Sequence, residues 1–321
     1  MKITILDDYQ KIISKLNCFD MLSGQEVQVL HETEKNPLKL AAQIQDTEIL
    51  VLTRERTKIS ETLLQNLPHL KLISQTGKIS RHIDLEACTK HRVAVAEGVG
   101  SPIATAELTW ALLMNTVRQI PQAIEGMKAG KWQVNIGQTV HGKTIGIWGY
   151  GRIGKIIAQY AKAFGAQVLV WGRENSRNQA VTDGFDQAES KTHFFEHTDI
   201  VSLHLRLNEA TTGIVTEADL LRMKANACLI NTARAELIES GALINVLESG
   251  KQIFVGVDVY EEEPVDDPNY QLLHMDHVVC TPHLGYVEKN GYELYFSKAF
   301  ENVLNFIKGR PTSIANEETL I

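Results

Sequence analysis

Apolar residues fall into two spacings along this chain. Short apolar-rich runs stand at 3–6, 26–30, 48–52, 72–74, 93–95, 144–148, 168–171, 200–203, 228–231, 254–257 and 277–280. Their length and their richness in Val, Ile and Leu predict buried strands. Between them apolar positions recur every three or four residues, most plainly in Ser101-Pro-Ile-Ala-Thr-Ala-Glu-Leu-Thr-Trp-Ala-Leu-Leu-Met-Asn115 and at 122–128, 156–161 and 292–307, which predicts helices. Ser101 is the candidate N-cap of the first of these, and Gly130 the stop of the second. Strand and helix alternate with no internal repeat or low-complexity tract, so an α/β fold is expected. The strands form two groups, the first closing near Val95. The helix at 292–307 is expected to return to that first group, making its domain discontinuous.

The run Thr144-Ile-Gly-Ile-Trp-Gly-Tyr-Gly-Arg-Ile-Gly154 joins an apolar strand, a three-glycine turn and a helix start. Gly149 suits the tight turn, Gly151 a close approach of backbone to a pyrophosphate, and Gly154 a helix lying close against the strand. The N–H groups of Arg152 and Ile153 then open a helix whose positive dipole end favours an anion. An ordinary strand–helix connection can use the same glycines. The helical pattern that follows, and a second strand at 166–171 ending where a ribose reader belongs, favour a dinucleotide pocket.

With 321 residues the chain is long enough for about two domains of ~150 residues each. Its 44% hydrophobic and 22% charged content is ordinary for a globular protein. A net charge of −7 and a pI near 5.9 argue against a general nucleic-acid surface but leave room for a local basic pocket and a small anionic ligand. No apolar run approaches the ~20 residues that span a bilayer. Neither a nucleic acid nor a membrane is therefore an expected partner. Cys18, Cys88, Cys228 and Cys280 show no CxxC spacing and the N-terminus carries no secretory pattern, so a reducing cytoplasm is expected.

Three further segments follow strand candidates: Asn231-Thr-Ala-Arg234, Gly256-Val-Asp-Val-Tyr-Glu-Glu-Glu-Pro264 and Cys280-Thr-Pro-His-Leu-Gly285. In a doubly wound sheet the C-terminal strand ends converge on the ligand crevice, so an Arg, a carboxylate and a His can meet there. Such a set suits reduction of a ketone. Arg234 would clamp a substrate carboxylate through its planar fork, His283 would give the carbonyl its proton as hydride arrives and act as base in reverse, and Glu263 would hold the imidazole. Singly, each has a plainer reading: Arg234 as a surface ion-pair former, Glu263 as one of three solvated acids at 261–263, His283 as a helix-entry residue. His193 and His197 stand four apart with no further ligand set, so no metal site is expected.

The segments GYGRIG, SLHLRLN, INTARAELIE, VDVYEEEP and TPHLG, in that order, resemble the D-isomer-specific 2-hydroxyacid dehydrogenase family over nearly the whole chain. Arg118-Gln-Ile-Pro-Gln-Ala123 and Met127-Lys-Ala-Gly-Lys-Trp132 are most similar to its D-3-phosphoglycerate dehydrogenase-like branch. The resemblance implies two Rossmann-like doubly wound domains with parallel sheets: a discontinuous substrate domain, 1–100 with 288–321, and an inserted dinucleotide-binding domain, 101–287. It implies an oxidoreductase moving hydride between a nicotinamide dinucleotide and a D-2-hydroxyacid or 2-oxoacid, with Arg234, Glu263 and His283 catalytic. It also implies a homodimer formed largely through the nucleotide-binding domain. Carried over to matching positions, Asp258 orients the nicotinamide amide, Thr232 and Ala233 line its face, His283 and Gly285 join the cofactor set, and Leu205 to Leu207 line the adenine side. Arg54, in Leu52-Thr-Arg-Glu-Arg-Thr-Lys58, falls where the branch turns an arginine toward the acid's distal anionic group.

Several positions depart from the family pattern. The loop Gly77-Lys78-Ile79-Ser80-Arg81, expected at the substrate carboxylate, keeps only the first glycine of a Gly-x-Gly motif, and Lys78 and Arg81 either add charge at the substrate mouth or form a solvated pair. Ala235 replaces the glycine usual after the catalytic arginine; Tyr286 and Glu288 replace smaller or hydroxyl residues after His283. The chain is too short to carry the regulatory domain of some phosphoglycerate dehydrogenases, so feedback by that route is not expected. Alternatives to the main reading are a glyoxylate/hydroxypyruvate reductase and a non-catalytic, dinucleotide-sensing corepressor-like protein. Formate dehydrogenase is disfavoured, because Glu263 stands where that branch uses glutamine.

Cofactor choice rests on the end of the strand at 168–171, where Gly172 occupies the place of an acidic ribose reader and Arg173-Glu-Asn-Ser-Arg177 follows. Arg173 and Arg177 offer charge to a 2′-phosphate, and Ser176 a hydroxyl, so NADP(H) is expected over NAD(H). The other possibility is a solvent-exposed basic loop in which Glu174 serves as an offset ribose acceptor.

Overall fold

The structure, a computed structural model, describes residues 1–320 and divides into two units: Met1–Ser101 together with the segment that begins at Glu288, and Pro102–Val287. In the first unit β1 (Lys2–Ile5), β2 (Glu26–Val29), β3 (Ile49–Leu52), β4 (Leu72–Gln75) and β5 (Ala94–Ala96) form a parallel sheet in the order β2-β1-β3-β4-β5. β3 and β4 are buried on both faces, which is why Ile49-Leu-Val-Leu52 shows no alternation. Helices α1 (Pro37–Gln43), α2 (Glu61–Gln65) and α3 (Leu85–Lys90) open on side-chain caps from Asn36, Ser60 and Asp84. They bury Leu40, Leu63 and Cys88 in one cluster with Leu50, Leu52, Ile73 and Val95.

The second unit holds β6 (Thr144–Trp148), β7 (Gln167–Trp171), β8 (Asp186–Gln187), β9 (Ile200–Leu203), β10 (Ala227–Asn231), β11 (Ile253–Val257) and β12 (Val278–Cys280). They pair in parallel in the order β12-β11-β10-β9-β6-β7-β8. The order reverses beside β6, the switch point of a doubly wound sheet. Its helices are α4 (Ile103–Arg118), α5 (Ile120–Lys128), α6 (Arg152–Ala163), α7 (Glu174–Thr182), α8 (Lys191–His197), α9 (Glu217–Arg222) and α10 (Ala242–Glu248). Strand alternation sorts the core. Ile145 and Ile147 join Trp110 and Leu113 of α4 and Ile157 of α6, whereas Trp148 joins Phe194 and Phe195 of α8 and Leu220 of α9.

The last helix, α11 (Lys289–Ile307), belongs to the first unit, where Phe296 and Phe300 are fully buried and Ser74 Oγ donates to Ala299 O at 2.9 Å. Some element ends differ from expectation. Pro102, not Ser101, holds the N-cap position of α4, without a side-chain cap, and α5 and α11 begin at Ile120 and Lys289, ahead of the apolar repeat. β8 is an edge strand that Asp186-Gln187, having no apolar pattern, does not announce. Glu288 explains its own departure from the family: its carboxylate accepts from Asn290 N at 2.7 Å and from Gly291 N, capping α11 with a charge in place of a hydroxyl.

Candidate active site

Six strands of the second unit end level with one another. Trp171, Trp148, Leu203, Asn231, Val257 and Cys280 form one row across β7, β6, β9, β10, β11 and β12. Residues just past the row therefore share one edge, and they include Gly172, Gly149, Thr232, Asp258 and Thr281.

At the switch point Gly149 takes φ 106°, and a Cβ on Gly154 would collide with Gly149 O, so α6 starts tight against the turn. Gly151 is the N-cap of α6. No side chain caps it, no carboxylate stands in the first turn, and a Cβ at 151 would meet nothing within 4 Å. Open space over an uncapped helix end that begins with Arg152 and Ile153 is what a pyrophosphate requires, so these residues fit a dinucleotide.

Glu263 and His283 are in contact. Glu263 Oε2 lies 2.5 Å from His283 Nδ1, while its Oε1 accepts from Tyr260 N at 3.0 Å. Both carboxylate oxygens are thus engaged and Nδ1 is occupied, which leaves Nε2 as the ring atom for proton transfer. The pair is open to a ligand, with side chains 26% and 33% exposed for His283 and Glu263. His283 takes φ 51°, a left-handed backbone that His tolerates better than most residues. Asp258 holds that loop in place: fully buried, it accepts from Thr281 Oγ1 at 2.6 Å and Leu284 N at 2.7 Å through Oδ1, and from Gly285 N at 2.9 Å through Oδ2. Burial pushes the Asp258 carboxyl upward, against the pull of these bonds. Tyr260 OH donates to Thr281 O at 3.0 Å, and the buried Tyr286 stands edge-on to the imidazole, ring centroids 5.3 Å apart.

Arg234 stands half-buried at the β10 end of the same edge. Asn231 shapes its turn, donating from Nδ2 to Arg234 O at 2.8 Å and accepting from Ala233 N at 3.1 Å. Arg234 Nη1 donates to Ala233 O at 2.6 Å. Ala235 opens a 3-10 turn, Ala235–Leu237, a right-handed backbone that alanine enters without strain. Thr232 is buried, Ala233 half-buried, and Leu205 and Leu207 pack against the core beyond β9. At the β7 end Gly172 takes φ 149° and Arg173 is exposed as the N-cap of α7, with Glu174 in the first turn. Arg177 packs at that same end: its guanidinium lies 4.9 Å from the Trp171 ring centroid, and Nη1 donates to Ala188 O at 3.4 Å.

In the first unit Leu52 and Gln75 pair across β3 and β4, and Arg54 and Gly77 each follow two residues later. Arg54 N donates to Thr76 Oγ1 at 2.8 Å, and Arg54 O accepts from Gln75 Nε2 at 2.9 Å. The guanidinium lies 5.6 Å from the Tyr295 ring and so close over Gly77 that a Cβ there would collide with Nη1. Lys78, exposed like Arg81, is ion-paired with Glu97. Its Nζ meets Glu97 Oε2 at 2.6 Å, and Ile79 N donates to Glu97 Oε1 at 3.0 Å. His193 and His197 stack at 4.1 Å, and no group of three metal-binding side chains occurs among the described residues. The sequence did not single out Tyr260, Thr281, Asn231 or Glu97. Asn231 alone carried a signal, a turn-forming amide at a strand end.

The family described as D-isomer specific 2-hydroxyacid dehydrogenase, NAD binding domain, matches residues 110–285. A glyoxylate reductase of Thermococcus litoralis is 32% identical over 292 residues, covering 88% of this chain and 87% of that one. A D-3-phosphoglycerate dehydrogenase of Bacillus subtilis is 35% identical over 270 residues, 83% of this chain but 50% of its own length, so the chain spans half of that relative. The crystal structure of a phosphoglycerate oxidoreductase from Vibrio cholerae O395 is 50% identical, with TM-score 0.94 over 96% of this chain and 99% of that one. The chain belongs to the D-isomer specific 2-hydroxyacid dehydrogenase family. It is an oxidoreductase acting on CH–OH donors, and its second unit is the part that binds a nicotinamide dinucleotide.

Proposed function

We propose that this protein interconverts a D-2-hydroxyacid carrying a second anionic group, of the phosphoglycerate class, and its 2-oxoacid, with NADP(H) favoured over NAD(H). The observation that carries this reading is the Glu263–His283 pair, 2.5 Å apart on the strand edge that also bears the glycine turn and Arg234. The glycine turn at 149–154, with Thr232, Ala233 and Asp258, would hold the nicotinamide dinucleotide, which would supply or accept the hydride at the substrate's second carbon. His283 Nε2 protonates the carbonyl oxygen in reduction and takes the hydroxyl proton in oxidation, while Arg234 grips the adjacent carboxylate. Arg54 and the Gly77–Ile79 loop of the first unit serve the acid's anionic groups, which makes that unit the substrate domain. Arg173, exposed at the head of α7, and Ser176 beside Gly172 receive the 2′-phosphate; Arg177 contributes by packing on Trp171.

Two further assignments belong to this reading. Ile120, Ile124, Met127, Trp132, Val134 and Ile136 are all exposed, Trp132 at 77% and Ile136 at 91%, an apolar stretch that a second copy would cover to give a homodimer. All four cysteines are free thiols, which suits a reducing cytoplasm. No helix among the described residues is long and apolar enough to cross a membrane.

Glyoxylate reduction is the second reading, favoured by the near-complete overlap with the Thermococcus litoralis protein. Steady-state kcat/KM for phosphorylated and unphosphorylated 2-oxoacids, with NADPH and with NADH, separates the two. The main reading expects the phosphorylated acid to lead, NADPH to be preferred, and Arg54→Ala to hurt that acid more than glyoxylate. A glyoxylate preference indifferent to Arg54 supports the second reading. Dinucleotide binding without turnover on any acid points to a sensor.

A further inference from the structure

Helix α4 is seated on the middle one of three strands. A Cβ at Gly256 of β11 would stand 2.6 Å from Thr116 Oγ1 and 3.0 Å from Leu112 Cγ, so these α4 side chains rest on bare strand backbone. β10 and β12 flank β11. Nearer the start of α4, on the same helix face, Thr109 and Thr105 reach the loops that leave those two neighbours. Thr109 Oγ1 lies 2.6 Å from Thr232 Oγ1, just past β10. Thr105 Oγ1 donates to Gly285 O at 2.8 Å, past β12. Thr232 precedes Arg234 by two residues, and Gly285 follows His283 by two.

The direction of the buried bond is fixed. Thr109 gives its single proton to Thr105 O at 2.7 Å, so between the two hydroxyls Thr232 is the donor and Thr109 the acceptor. Thr109 is 0% and Thr232 6% exposed, so water does not replace either partner. Asn231 and Asp258 shape the two loops from within; α4 links one to the other. That link matters because the carboxylate held by Arg234 and the oxygen served by His283 sit on adjacent carbons of one small acid, which leaves little tolerance in the spacing of the two side chains.

We propose that Thr105 and Thr109 are positioning residues, α4 acting as a cross-brace that sets Arg234 and His283 at their working separation. This rests on the roles of Arg234 and His283 proposed above. The test uses the full-length protein and measures three things in Thr109→Val, Thr105→Val and Thr109→Ser: dinucleotide affinity by fluorescence, single-turnover hydride transfer per bound dinucleotide, and backbone hydrogen exchange at 230–236 and 281–287. The valine variants are expected to slow single turnover about 10-fold with affinity changed less than about twofold, and Thr109→Ser to restore the rate. Exchange is expected to rise in both loops when either threonine is changed. Wild-type turnover per bound dinucleotide in both valine variants, even with fewer folded molecules, overturns the brace. If Thr109→Val does not fold, the half-buried Thr105→Val carries the same expectation alone. His283→Ala distinguishes the failures: an inactive alanine variant beside fully active valine variants rejects the brace only, whereas a fully active alanine variant rejects the roles beneath it.

Discussion

The Glu263–His283 corner and the segment from Gly172 to Arg177 sit on one sheet edge and are built in opposite ways. At the corner, Glu263 is bound through both oxygens and His283 is set by a loop that Asp258 holds at three points. At the other end Arg173 projects as an exposed N-cap. The proton transfer proposed for the corner needs groups held in place, and the protein's own hydrogen bonds hold them. Choice between two phosphate patterns needs only a charge at the right place, and an exposed position can gain or lose one without disturbing the core.

The sharpest way to break this contrast is His283→Ala, expected to lower single-turnover hydride transfer ~10²–10⁴-fold while dinucleotide affinity holds. Undiminished transfer would remove the corner from the chemistry. Arg234→Lys keeps the charge and loses the planar fork, so kcat/KM should fall roughly 10- to 100-fold, and a variant as active as wild type would reduce the clamp to a point charge. Arg173→Ala should cost about 10-fold in kcat/KM with NADPH and little with NADH. Equal losses with both cofactors would place Arg173 in folding, outside specificity.

The smallest effect calibrates the others at a surface carboxylate with one exposed and one half-buried partner. Hydrogen bonds from Lys90 and then His91 hold the Glu61 carboxyl down at about 2, against an ordinary 4.5. Between those values the folded state binds fewer protons than the unfolded one, so the stabilisation is complete above 4.5 and is lost as pH falls toward 2. Glu61→Gln should therefore lower Tm slightly at neutral pH, with the gap closing across that window. A gap independent of pH would show that the pairing contributes nothing.

Much of the edge was legible because its signals are local. The glycine turn must place three glycines within six residues, and Arg234, Glu263 and His283 each follow closely on a strand run. What holds them was not legible. Thr105 and Gly285 are 180 positions apart, Thr109 and Thr232 123, and no periodicity joins residues at such distances. Arg177 shows a subtler limit: its residue type suits a phosphate, but its contacts with the Trp171 ring and Ala188 O are set by tertiary packing and are not written in the local sequence. Lys78, still exposed, meets Glu97 19 positions away, a pairing no local pattern announces. At Glu288 the unfamiliar residue performs a familiar task, since a helix start needs an acceptor and a carboxylate provides one.

Gly77 and Arg54 carry a consequence for how such proteins change over generations. The atoms that a methyl group at 77 would meet first are the guanidinium end of the long Arg54 side chain, not the backbone of the loop. The place of the charge is thus governed by a residue that bears none. On the role proposed for Arg54, substrate range could drift through position 77 while the arginine stays untouched, and two descendants that differ there would look equivalent to anyone counting arginines.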